Sequence, residues 1–167
     1  MPIPEFDHNN VIPPHLGDPR MRIQVSPYST TTLELCEKLG FNRERRLILL
    51  RFLEFRQKLN ENEITHGFQW IDGSFLEHIE LTELRSPNDI DIVTFYALED
   101  HVNENDILNN FAEFGNPRIA KENYLLDHYV VDLYINPLFL IEHVKYWYQL
   151  FSHNRNRVWK GMLKLEL

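Results

Sequence analysis

The stretch 86-SPNDIDIVTFY-96 decides how this chain is read. Ile90, Ile92, Val93 and Phe95 are apolar, mostly β-branched or aromatic, and predict a strand that enters the interior. Asp89 and Asp91 stand one residue apart at its opening. Side chains alternate across a strand, so both carboxylates project from one face. Like charges that close repel each other and resist burial, which calls for a compensating cation.

Further along, Asp132 lies inside the apolar run YVVDLYI. If that strand lies beside the first, Asp89, Asp91 and Asp132 share one edge of a sheet. Oxygen ligands at that density suit Mg²⁺ or Mn²⁺. Asp127 is the rival, five residues earlier and of opposite parity. Asp132 is preferred because apolar residues flank it on both sides. On the other side of the opening stretch, Gly73 and Ser74 end the strand GFQWID and lead into a short helix at Phe75-Leu76. A small pair there lets backbone N–H groups approach a phosphate. Asp72 reads as support for that turn. Taken singly, each feature has a plain reading: SPND is turn-rich, and Gly-Ser is an ordinary tight turn. The combination carries the metal reading.

Residues 1–32 are rich in Pro, Ser and Thr and read as an extended arm that wraps the domain or engages a partner. Residues 33–167 read as a single domain. FNRERRLILLRFLEFRQKLNEN predicts a helix capped by Asn42. Its apolar face combines Leu47, Leu50 and Leu53 with Ile48, Phe52, Phe55 and Leu59. VNENDILNNFAEFG predicts a helix ending near Gly115, and HYVVDLYI a strand. Pro137 opens a helix through PLFLIEHVKYWYQLF, and GMLKLEL alternates like a last strand. The mixed order predicts an α/β or α+β fold, a small mixed sheet covered by helices.

Net charge is −8, which argues against a protein that grips nucleic acid over its whole surface. No apolar run reaches the length of a membrane span. The opening MPIPEFDHNN has no basic region followed by an apolar one, and the single Cys36 fits a reducing cytoplasm. The histidines show no zinc spacing. Arg155, Arg157 and Lys160 form a local basic stretch, either a solvated loop or a receiver for triphosphate. The aromatic residues Tyr146, Trp147, Tyr148 and Phe151 read first as core packing, and second as a base-stacking platform.

Gly73-Ser74, a spacer, Asp89-Ile90-Asp91-Ile92 and a later acid together resemble the nucleotidyltransferase-fold, polymerase β-like superfamily. More narrowly, IPPH, WIDGSF, PNDIDIV, VVDLYI and NRNRVWKGMLKLEL resemble an uncharacterised family of small bacterial nucleotidyltransferase-like proteins. The spacer between Ser74 and Asp89 is longer than the superfamily usually shows. The resemblance implies that Asp89 and Asp91 hold two metal ions, Mg²⁺ or Mn²⁺. It implies that Asp132 holds the ion nearer the attacking hydroxyl, and that Gly73 and Ser74 bind the phosphates of a nucleoside triphosphate. It implies transfer of a nucleoside monophosphate to an RNA, protein or small-molecule acceptor, in a toxin–antitoxin or defence setting. The alternative is a non-catalytic, antitoxin-like or regulatory module of the same fold that acts through a partner protein. A glycosyltransferase using Asp-x-Asp is a distant third reading.

Overall fold

The computed structural model describes residues 3–167. The fold is α+β, as expected. Five strands form one mixed sheet in the order β1-β5-β2-β3-β4. The strands are β1 (Tyr28–Thr30), β2 (His66–Asp72), β3 (Ile90–Ala97), β4 (Leu126–Asp132) and β5 (Leu163–Glu166). β2 runs antiparallel to both β3 and β5, whereas β3–β4 and β1–β5 are parallel. The β3–β4 pair needs a crossover, supplied by α4 (Glu104–Asn110) and α5 (Pro117–Tyr124).

The sheet's two faces are covered differently. Ile71, Ile90, Ile92, Leu126 and Leu163 point to the main core, beneath α1 (Thr32–Leu39) and α2 (Arg43–Glu61). Trp70, Val93, Phe95, Val131 and Met162 point to the other face, where Trp147 and Phe151 of α6 (Pro137–Phe151) cover them. Asp72, Asp91 and Asp127 lie on this second face, by strict alternation along β2, β3 and β4.

Local chemistry sets the helix starts. Thr31 and Glu34 form a capping box at α1, a helix that falls outside the sequence expectations. Asn42 Oδ1 accepts the Arg45 N–H at 2.8 Å and starts α2, as expected. Asn136 caps α6 with Pro137 behind it. On α2, Ile48, Leu49, Phe52, Phe55 and Leu59 are buried, but Leu47, Leu50 and Leu53 are exposed. The apolar stripe is therefore narrower than the sequence suggests. The helix expected to end near Gly115 breaks at Phe111, whose backbone leaves helical geometry while its ring enters the core. A 3₁₀ turn, Ala112–Phe114, follows.

The N-terminal segment wraps the domain rather than standing apart from it. Ile3, Val11 and Ile12 are buried, and β1 is itself the edge strand of the sheet. Residues 1 and 2 of the expected arm lie outside the described residues. Among the described residues no helix is long and apolar enough to cross a membrane.

Candidate functional site

β2 ends at Asp72 while β3 and β4 begin beside it, so three strand ends meet at one edge. The register brings Asp72 opposite Asp91 and Asp91 opposite Asp127. Neighbouring strands are about 5 Å apart, so these carboxylates form a row across the sheet edge. Asp89 precedes β3 and lines the same cleft. The cleft has a volume of about 500 Å³ and is lined by these acids together with Tyr129 of β4 and Tyr146, Trp147 and Phe151 of α6.

Asp132 does not belong to this row. It pairs with Tyr96 at the far end of β4, on the opposite face of the sheet. Its Oδ1 accepts the Tyr134 N–H at 2.8 Å, an ordinary strand-end turn contact. Asp127 stands where the sequence reading placed Asp132. β4 starts at Leu126 and ends at Asp132, so the apolar flanks of Asp132 reflect the strand's exit. The pattern apolar-Asp at a strand opening, shared by Ile90-Asp91 and Leu126-Asp127, was the available signal. Asp72, Glu77 and Lys121 also line the cleft, and no expectation placed them there as charged partners.

Gly73 turns the chain sharply out of β2 with φ of +86°. A Cβ at this position would sit 2.4 Å from Oδ2 of Asp91. Glycine is therefore required both by the backbone and by the carboxylate beside it. Ser74 begins a 3₁₀ turn, Ser74–Leu76, that matches the expected short helix, and it lines the cleft. Arg45 of α2 fixes this segment from below. It is fully buried, pairs with Glu80 and donates to the carbonyls of Phe75 and Glu77 at 2.7 and 2.6 Å.

Lys160 is not the exposed cation that the sequence suggested. It is 2% exposed. Its ammonium donates to the Gly73 carbonyl at 2.8 Å and to Glu77 at 3.1 Å, and lies 3.0 Å from Oδ1 of Asp72. Burial alone would lower its pKa, but Asp72 and Glu77 hold it above the ordinary lysine value. Arg155 lines the cleft and is exposed; Arg157 is exposed and does not line it. The basic stretch therefore divides into a buried clamp, a cleft residue and a surface residue.

The row carries strained charge. Burial pushes Asp91 up to about 6, and the negative charges of Asp89 and Asp127 add to it. Burial pushes Asp72 up to about 7 against the pull of Lys160. Asp89 is held by Lys121 of α5, with an Nζ–Oδ2 distance of 2.6 Å. Among the described residues, no three acid, histidine or cysteine side chains already stand close enough together to hold a metal ion. The arrangement is a row of carboxylates facing a cleft, balanced by two lysines.

Fold and site thus define a small α+β protein with an acid-rowed cleft at one sheet edge. The chain belongs to a family of unknown function, DUF6932, whose model matches residues 4–166. No curated protein and no solved structure matches it.

Proposed function

We propose that this protein is a metal-dependent nucleotidyltransferase that moves a nucleoside monophosphate from NTP to an acceptor hydroxyl on RNA, protein or a small molecule. The observation that carries the reading is the register of Asp91 with Asp127, beside Asp89 and the Gly73 turn, at the mouth of one cleft. The resemblance of the motif Gly73-Ser74…Asp89-Ile90-Asp91 supports it, with Asp127 in place of Asp132 as the third acid.

The donor chemistry fits a divalent cation. Carboxylate oxygens are what Mg²⁺ and Mn²⁺ take, and the raised Asp91 marks negative charge that a cation would relieve. Asp89, Asp91 and Asp127 would hold the metal, with Asp89 exchanging Lys121 for it. When bound, the metal would neutralise charge on the attacking and leaving oxygens. The chain's own residues do the rest. Gly73 leaves room for the Asp91 carboxylate, and Lys160 fixes the turn through the Gly73 carbonyl. Arg155 receives polyphosphate at the rim. Asp127 takes the proton of the acceptor hydroxyl as its oxygen bonds to the α-phosphorus and diphosphate leaves. The free Cys36 accords with a cytoplasmic setting for this chemistry.

The Lys121–Asp89 pair favours the alternative, a non-catalytic, antitoxin-like or regulatory module of the same fold that acts through a partner protein, because a lysine already supplies positive charge at the row. Labelled NTPs, Mn²⁺ and cell lysate separate the two: transfer of label to RNA, protein or a small molecule supports the enzyme, and binding without transfer supports the module. Calorimetry tests the site itself. Asp127→Asn should remove metal-dependent ATP binding, and Asp132→Asn should leave it intact. Equal affinity in both variants, with and without metal, overturns the reading.

A further inference from the structure

The half of the cleft that the acids do not explain is aromatic. Tyr129 lies two residues beyond Asp127 on β4 and on the same face, about 7 Å along the strand. Trp147 of α6 is buried, and its ring holds the rings of Tyr129 and Tyr146 with centroids at 4.8 and 5.0 Å. Phe151 backs Trp147 at 5.6 Å. Tyr146 is 56% exposed and Tyr129 38%, yet both line the cleft together with Leu150. Core packing accounts for Trp147 and Phe151. It does not account for Tyr129 and Tyr146, whose rings contact Trp147 and yet remain partly exposed along the cleft.

We propose that Tyr129, Tyr146 and Trp147 form the seat of a nucleobase, the flat end of the nucleotide whose phosphates the acid row addresses. The inference rests on the transferase reading for the phosphate end and adds the residues that receive the base. The geometry points to a ligand with two unlike ends. One end needs a cation between itself and the carboxylates, and the other is planar and apolar enough to lie on aromatic rings. A nucleotide has both, and the two ends of this cleft adjoin on one strand. Rings fixed by a buried tryptophan lose little freedom when a base stacks on them. Stacking accepts any base face, so this seat gives the protein affinity for nucleosides with little choice among bases.

Inorganic tripolyphosphate is the control that separates the two ends. Calorimetry with Mn²⁺ compares ATP, UTP and tripolyphosphate on the full chain, on Tyr146→Ala and on Tyr146→Phe. The expected result is that both nucleotides bind the parent roughly 5- to 150-fold more tightly than tripolyphosphate. Tyr146→Ala should erase most of that gap with tripolyphosphate affinity unchanged, and Tyr146→Phe should keep it. Tyr146 is exposed, so its truncation leaves the core intact, which a melting curve checks. Equal affinity of nucleotides and tripolyphosphate for the parent overturns the base seat while sparing the phosphate reading. Loss of all binding in the parent overturns both. Nucleotide binding that persists in EDTA and still falls in Tyr146→Ala keeps the seat and overturns the metal. A change of oligomeric state in Tyr146→Ala assigns the rings to contact with a second copy and overturns the seat.

Discussion

Asp91 and Asp127 stand opposite each other on the parallel strands β3 and β4, on the face covered by α6. Two carboxylates in register repel, and neither strand offers a cation of its own at that position. The charge balance comes from elsewhere: Lys121 on α5 and Lys160 just before β5.

That imbalance makes stability depend on pH in a defined direction. Asp91 is raised from 3.8 to about 6 in the folded protein. A carboxylate with its folded pKa above its unfolded one carries a penalty that is complete above about pH 6 and fades as pH falls towards 4. Among the described residues its side chain makes no hydrogen bond, so amide replacement forfeits little. Asp91→Asn should therefore stabilise the metal-free protein at pH 7 to 8, by on the order of 3 kcal/mol at most. The gain should shrink below pH 6. Denaturation midpoints in EDTA across pH 4.5–8 check both parts. The titration belongs to the whole acid row, so its apparent midpoint is shared.

Gly73 should tolerate no side chain. Gly73→Ala places a Cβ against Asp91 and forces a residue with a side chain to adopt φ of +86°. The expected loss is about 1–3 kcal/mol. Gly73→Val should lose more, and both should weaken metal-dependent nucleotide binding beyond what the stability change explains. Urea denaturation and calorimetry on the same samples provide the comparison.

Lys160→Met should be strongly destabilising, because it leaves Asp72 and Glu77 facing a buried apolar group. Removing one partner of a buried pair costs roughly 3–5 kcal/mol. The double variant Lys160→Met with Asp72→Asn should recover a large part of the loss. No recovery in the double variant would mean that the Gly73 carbonyl and Glu77 contacts dominate instead.

A second pH effect runs the other way. Gln69 donates to the Thr94 hydroxyl at 3.0 Å, and that hydroxyl shares a hydrogen bond with His128 Nε2 at 2.8 Å. Burial pushes His128 down to about 3, so the ring is neutral in the fold. The unfolded chain takes up the proton first. Stability from this group is intact above about pH 6.5 and drains as pH falls towards 3, by on the order of 1 kcal/mol per unit. His128→Gln should be less stable than the parent at pH 7 but lose stability more slowly between pH 6.5 and 4.5. Parallel slopes would remove His128 as the cause.

The sequence by itself determined the elements whose signals are local. Asn42 and Asn136 mark helix starts because a cap needs only its own next turn. The run from Ile90 to Phe95 marks β3 because a strand buried on both faces is apolar at most positions, here all but Asp91 and Thr94. The same locality made Gly73-Ser74 and Asp89-Ile90-Asp91 legible as neighbours of one turn and one strand opening. Tertiary structure decided what lies across from them. Asp127 rather than Asp132 joins the row because the β3–β4 register, set by the crossover helices and the packing beneath them, matches strand openings to strand openings. Lys160 is a buried clamp rather than a surface cation because Asp72 and Glu77, over eighty residues earlier in the chain, converge on it. The exposure of Leu47, Leu50 and Leu53 was equally out of reach. A helix's own spacing shows which residues share a face, but only the docked sheet decides how wide a stripe of that face is covered.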